Sequence, residues 1–272
     1  ANSTAIAFYS KQDNRTRSYA LNRLAINLGW AIGSGIGGVL ANINFSLLFY
    51  VDGLTNIVAA ILIWIFLKPV SFRSVDEKHF EMIRSLSPYR DKVYMLFILL
   101  TVFFASCFFQ IFIFSELNFS KPLIGFLLAI NGIIIAIVEM VLIYKLEGKR
   151  KSLDYIFFGI LMIGIAFLML NIPGMGPVLA FSMIIMITFG EIFSMPFMNS
   201  FWISRTQPGN RGAYAAVYSM AWSAAQTLGP LGGAQLVGHF GFKWLWFSVG
   251  ALCITVSLLI RKLRKMDIDE LK

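Results

Sequence analysis

The sequence predicts an all-α polytopic membrane protein with eight transmembrane helices, and three observations predict it. Of its 272 residues, 58% are hydrophobic and only 14% are charged, with a mean hydropathy of +0.74. A soluble domain carries about a quarter charged residues. Apolar stretches of roughly 20 residues, the length that crosses a bilayer core, recur eight times along the chain. Lys and Arg, finally, concentrate in alternate connectors. Together these features exclude a soluble enzyme, a secreted disulfide scaffold and a disordered chain. Cys107 and Cys253 both fall inside apolar stretches and read as small apolar fillers rather than a disulfide or metal pair. Neither a metal site nor a cofactor is expected.

Taken in order, the spans cover 24–41, 45–67, 93–115, 122–144, 153–172, 176–200, 213–238 and 243–260. Short polar connectors, such as Ala41–Asn44 and Asn171–Gly174, join antiparallel neighbours. With eight spans the connectors alternate sides, and 21 of the 23 basic residues then fall on one side, leaving only Lys121 and Lys243 on the other. Cytoplasmic loops carry the Lys/Arg excess, so both ends of the chain are expected in the cytoplasm. The net charge of +9 is therefore topology rather than a nucleic-acid footprint. The lipid bilayer is the expected partner, and the chain is expected to be monomeric. The longest connector, 68–92, places Val75, His79, Met82, Ile83 and Leu86 at helical spacing among charges. It reads as an amphipathic helix on the cytoplasmic membrane surface.

An internal repeat extends this picture. Span one carries Gly29, Gly33, Ser34, Gly37 and Gly38; span seven carries Ala225, Gly229, Pro230, Gly233 and Ala234 at the same spacing. A basic residue and a tyrosine precede each stripe, Arg17 and Tyr19 in one and Arg211 and Tyr214 in the other. Six spans separate the copies, which implies a twelve-helix protein of two similar six-helix bundles. The chain is accordingly expected to be the C-terminal two-thirds of a longer protein. Residues 1–67 would be the last two helices of the N-terminal bundle, 68–92 the linker, and 93–272 the C-terminal six-helix bundle with a cytoplasmic tail.

Glycines four apart lie on one helix face and let a second backbone approach closely. Gly29, Gly33, Gly37, Gly38, Gly229 and Gly233 are thus helix-packing positions, with Gly33 and Gly37 expected at closest approach. Pro230 removes a backbone hydrogen bond and permits a kink there that could gate a cavity. Ionisable groups at membrane depth are costly and mark function. Glu191 in span six and Glu139 in span four are the deepest carboxylates, with no Lys or Arg deep in any span, so both are expected to be protonated at rest. They are the proton-coupling candidates. Asp52 and Glu116 fall nearer the outer rim. Gln110, Asn131 and Phe109 are candidates for lining a substrate cavity, the first two equally able to bond between helices.

With those residues in hand, the stripe resembles the fifth-helix signature, Gly-x-x-x-Gly-Pro-x-x-Gly-Gly, of the drug:proton antiporters of the major facilitator superfamily, with Ser34 in the place of proline. Arg23–Gly29 before it and Phe49–Gly53 after it are similar to the same group. Gly190, Glu191 and Pro196 resemble its tenth helix. The resemblance covers essentially the whole chain and implies that the eight spans are helices five to twelve. The loop Tyr144–Arg150 keeps the basic residues of the family's cytoplasmic motif but lacks its Asp, so no gating role passes to it. What the resemblance implies is secondary active transport in a bacterial inner membrane by alternating access of two bundles, with a lipophilic drug-like small molecule leaving as protons enter. A proton-coupled importer of a peptide, sugar or organic anion is the second reading. A membrane enzyme and a non-transporting remnant are the remote readings. A membrane enzyme is disfavoured because both histidines lie in loops and no Asp cluster accompanies them.

Overall fold

Where no water reaches, each peptide N–H must find its acceptor within the chain, and the α-helix is the local solution. In a computed structural model of the chain, which describes residues 15–66, 87–112, 120–146, 148–173, 176–207 and 210–270, helices dominate and no strand occurs among these residues. The helices are α1 (Arg15–Ile43), α2 (Ser46–Phe66), α3 (Lys92–Phe108), α4 (Lys121–Leu146), α5 (Ser152–Met169), α6 (Gly176–Ser204), α7 (Arg211–Phe240) and α8 (Phe242–Glu270). Each coincides with one of the eight expected spans. Six are long and apolar enough to cross a membrane. Of the other two, α3 has 17 residues and continues as a 3-10 turn over Phe109–Phe112. The second, α7, has 30 residues, many of them Gly, Ala, Ser or Gln, which lowers its apolarity. The amphipathic stretch expected over 68–92 falls largely outside the described residues, as does Glu116.

Two units make up the chain. The first holds residues 1–70 and 118–145, hence α1, α2 and α4; the second holds 71–117 and 146–272, hence α3 and α5–α8. Within the second unit, α5 packs against both α6 and α8, and α3 against α7 and α8. Its core is apolar and aromatic: Tyr94, Phe97 and Phe104 from α3, Ile156, Ile160 and Phe167 from α5, and Met183 and Ile184 from α6 are fully buried. Cys107 of α3 and Cys253 of α8 are buried free thiols, as apolar fillers would be, and lie within hydrogen-bonding reach of one another. In the first unit, α2 buries none of its residues. Ile57, Leu62, Trp64 and Phe66 are exposed along it, a surface suited to lipid rather than to water.

Local signals explain the helix ends. Asp91 caps α3 by accepting a 2.8 Å hydrogen bond from the Tyr94 N–H. Gly241 takes φ +81° after α7, and its N–H bonds the Val237 carbonyl at 2.9 Å, which turns the chain directly into α8. Beyond the expected end of the last span, α8 runs on to Glu270. Ile260 and Leu263 remain buried there, so an apolar stripe holds a segment that composition alone presents as a charged tail.

Helix pairs in the second unit approach through missing side chains. A Cβ on Gly159 of α5 would stand 2.5 Å from the Gly190 carbonyl and 2.7 Å from the Ser194 N–H nitrogen of α6, distances no methyl can occupy without moving backbone. Gly159→Ala is therefore expected to lower stability by about 1–3 kcal/mol. Gly232→Ala, where a methyl meets open space among the described residues, should leave stability unchanged or slightly raised. Thermal unfolding of the detergent-purified protein compares the two.

Candidate functional site

The first unit presents the glycine stripe. On α4, Gly125, Leu127, Asn131, Gly132, Ile135 and Glu139 are buried; of these Gly125, Gly132, Ile135 and Glu139, spaced by seven, three and four, share one face. Gly125 meets Gly38 and the Ser34 carbonyl of α1, while Gly132 meets Ala31 and the Asn27 carbonyl. The Lys121 ammonium closes one end of the pair, donating 2.8 Å to the Ala41 carbonyl. The contact therefore runs through Asn27, Ala31, Ser34 and Gly38. This corrects the expectation for Gly33 and Gly37. A Cβ on Gly33 or Gly29 meets nothing within 4 Å among the described residues, and one on Gly37 meets only the Leu48 side chain at 3.8 Å. The reason is angular. Successive residues turn about 100° around the helix axis, so positions 29, 33 and 37 sit beside the contact face rather than on it.

Glu139 stands on that same face of α4, 3% exposed. With Leu24 and Asn27 of α1 it borders a cavity of about 10 Å³, which holds one water at most and no solute. Asn131, 5% exposed, is buried about two turns away along α4. The carboxylate thus belongs to the α1–α4 seam.

In the second unit, Glu191 of α6 is 8% exposed. Its helix hugs α5 at Gly190, and its polar neighbours in sequence satisfy themselves along the helix: Ser194 Oγ donates to the Gly190 carbonyl at 2.7 Å and Thr188 Oγ1 to the Ile184 carbonyl at 2.7 Å. Pro196 lies inside α6. Lacking an N–H, it leaves the carbonyl of Ile192, the residue next to Glu191, without its helical donor.

The second stripe meets a different partner from the first. Gly229 of α7 packs on Ser106 of α3, and Gly233 leaves the space that the Gln110 carboxamide fills. Gln110 is buried and its Nε2 donates 2.5 Å to the Gly229 carbonyl and 3.1 Å to the Ser106 carbonyl. It bonds between helices. Gly33 and Gly229 consequently do not share an environment, because α1 meets α4 through neighbouring positions while α7 meets α3 through the stripe itself. Pro230 follows the Gly229 carbonyl that Gln110 holds. Phe109 joins Phe104, Phe108 and Tyr218 around the Trp222 indole, with ring centroids 6.0–6.4 Å from it and edge-to-face angles of 67–88°.

An ion-pair network that sequence reasoning missed lies at the basic end of this unit. Arg205 grips Asp91 with two bonds of 2.7 Å, from Nε and Nη2, and Asp267 of α8 with a third of 2.7 Å from Nη1. The Tyr214 hydroxyl donates 3.2 Å to Asp91, and the Tyr94 hydroxyl donates 2.6 Å to the Tyr214 carbonyl. One guanidinium thus ties the start of α3, the connector after α6 and the end of α8. The partners are 114 and 62 residues from Arg205 in sequence, and no periodicity signals such a pairing. Their side chains are about 15% exposed, so removing the cation strands two carboxylates. Arg205→Met is expected to cost about 3 kcal/mol, read as a lowered unfolding midpoint. A companion pair of changes tests the corrected stripe: Gly38→Leu should lower the midpoint markedly and Gly33→Leu only slightly.

Comparison with known proteins bears on these helices as a set. The family model described as Major Facilitator Superfamily matches residues 1–230. The uncharacterised MFS-type transporter YttB of Bacillus subtilis (strain 168) is 21% identical over 238 residues, which are 85% of this chain and 60% of that protein. The chain thus spans 60% of the length of the curated relative it matches. Among solved structures, a POT family transporter in complex with 5-aminolevulinic acid superposes with a TM-score of 0.66 at 15% identity, over 95% of this chain and 71% of that one. At that identity the likeness is one of fold.

Proposed function

The chain belongs to the major facilitator superfamily, a family of transporters rather than enzymes, and from that premise we propose proton-coupled export of lipophilic, drug-like small molecules by alternating access. In this reading α1–α8 serve as helices five to twelve of two six-helix bundles, α4 counts with the C-terminal bundle, and the α1–α4 seam is where the bundles slide. The basic end faces the cytoplasm of a bacterial cell, and the chain acts as a monomer.

The observation that carries the coupling is the burial of Glu139 and Glu191 within apolar helices. A carboxylate ionised there is costly unless water or a cation reaches it. Opening the site to one side would let the group release a proton, and closing it would favour taking one up. Glu191, beside the interrupted helix at Pro196, is the primary coupling group; Glu139, on the seam, responds to the sliding. The rings around Trp222, Phe109 among them, supply the kind of apolar surface that suits lipophilic solutes, and few polar side chains accompany them. Gln110, engaged between helices, positions α7 rather than the solute.

Glu191→Gln carries the test. In vesicles of the full-length protein, the variant mimics a permanently protonated group, so dye binding should persist while efflux driven by a proton gradient falls to background. Robust gradient-driven efflux by the variant would remove Glu191 from the coupling step. Gradient-driven uptake of a peptide, sugar or organic anion in place of dye efflux would favour the importer reading.

A further inference from the structure

A large basic cavity lies apart from the buried carboxylates. Its volume is about 780 Å³, and it opens where the α4–α5 connector meets the end of α8. Lys149, Arg150 and Lys151 come from the connector, and Arg261 and Arg264 from α8. A neighbouring hollow of about 260 Å³ shares Arg261 and adds Lys262 and Lys265. Against these cations the lining places one carboxylate, Asp154, which pairs with Arg264 at 3.0 Å. In the adjoining sequence Lys145 and Glu147 offset each other.

Local structure explains why the charges converge. Gly148 turns the connector at φ +77°, a conformation open to glycine, and brings Lys149–Lys151 to the amino end of α5. The partial positive charge of that helix end adds to theirs. On α8, Leu258, Arg261 and Lys265 recur at three- and four-residue spacing and so share a face. Close packing of Gly164 on Cys253 and of Gly250 on Leu168 holds α8 against α5. The apolar edge of the site is equally defined. The Arg261 guanidinium lies 5.6 Å over the Phe157 ring, while Phe158, Leu258 and Leu259 are exposed nearby.

We propose that this cavity is a binding site for the phosphodiester headgroup of an anionic phospholipid. Cations and exposed apolar side chains meet at one end of membrane-crossing helices, and a phospholipid is the molecule that presents a phosphate beside two acyl chains. Basic pockets at membrane borders hold such headgroups by charge. A free phosphate would match the cations but leave most of the volume unfilled and has no use for the apolar edge. The site rests on the membrane-spanning reading and is independent of what the protein transports.

The test uses the full-length protein in nanodiscs of phosphatidylglycerol or phosphatidylcholine, with unfolding midpoint and lipid retained in native mass spectra as readouts. Phosphatidylglycerol should raise the midpoint of the unaltered protein and of Lys243→Gln, an exposed cation at the opposite end of α8 from Arg261. The triple change K149Q/R150Q/K151Q, at exposed positions, should lose that rise and retain roughly a hundredfold less phosphatidylglycerol, as the loss of three near-surface cations implies. Arg261→Gln should reproduce the loss in part and covers the case in which the triple variant folds poorly. Retention of the full lipid effect in both variants would overturn the proposal. So would an equal rise from inorganic phosphate added to phosphatidylcholine discs, which would assign the cavity to a free anion. Neither readout involves a substrate, so a failure here is separate from a failure of the export reading.

Discussion

Hydrocarbon supplies no hydrogen bonds, and that single constraint shapes this chain at every level. Backbone amides must pair locally, so the spans are helical. Hydrophobic burial cannot then drive one apolar helix onto another, since lipid is as apolar as leucine, and association falls to close packing. The helix pairs meet where side chains are missing: Gly38 on Gly125, Gly159 on Gly190, Gly229 on Ser106. Polar groups that enter this environment are drawn onto backbone carbonyls or onto one another. The Gln110 amide across the α3–α7 contact and the serine and threonine hydroxyls bonded along α6 are instances.

The same constraint makes buried acids informative. Two glutamates remain buried where hydration is scarce, one on the tight seam of α1 and α4 and one beside a proline-interrupted segment of α6. Each sits next to a place where the backbone is either closely packed or short of a hydrogen bond. Those are the places where a small movement changes access to water most, which is the physical basis for linking them to proton movement in the proposed cycle.

Charge is managed differently at the basic end. Arg205 gathers Asp91 and Asp267 into a compact, largely buried network that ties three parts of the second unit together. A short distance along α8, Arg261 and its neighbours instead line an open cavity with little acidic compensation. One arrangement consumes its charge internally. The other leaves it facing outward, beside exposed phenylalanine and leucine, and an outside anion completes it.

Much of the fold was legible in the order of residues because apolar run length and Lys/Arg alternation are local or additive properties. Among the described residues eight long helices coincide with those runs, α8 extending beyond its own, and the membership in a transporter family agrees with the glycine stripe and its surroundings. The contact face of that stripe was not legible. Gly33 and Gly38 have the same composition and nearly the same neighbours, and only the rotation of α1 against α4 selects Asn27, Ala31, Ser34 and Gly38 as the touching positions. The role of Gln110 as a link between helices, the meeting of Cys107 with Cys253, and the Arg205 network depend on residues tens to more than a hundred positions apart. Sequence by itself determined that these helices exist and how deep each charged group lies along them, since depth follows from counting residues at a fixed rise. Which groups meet was decided by tertiary structure alone, because azimuth and pairing come from how whole helices pack.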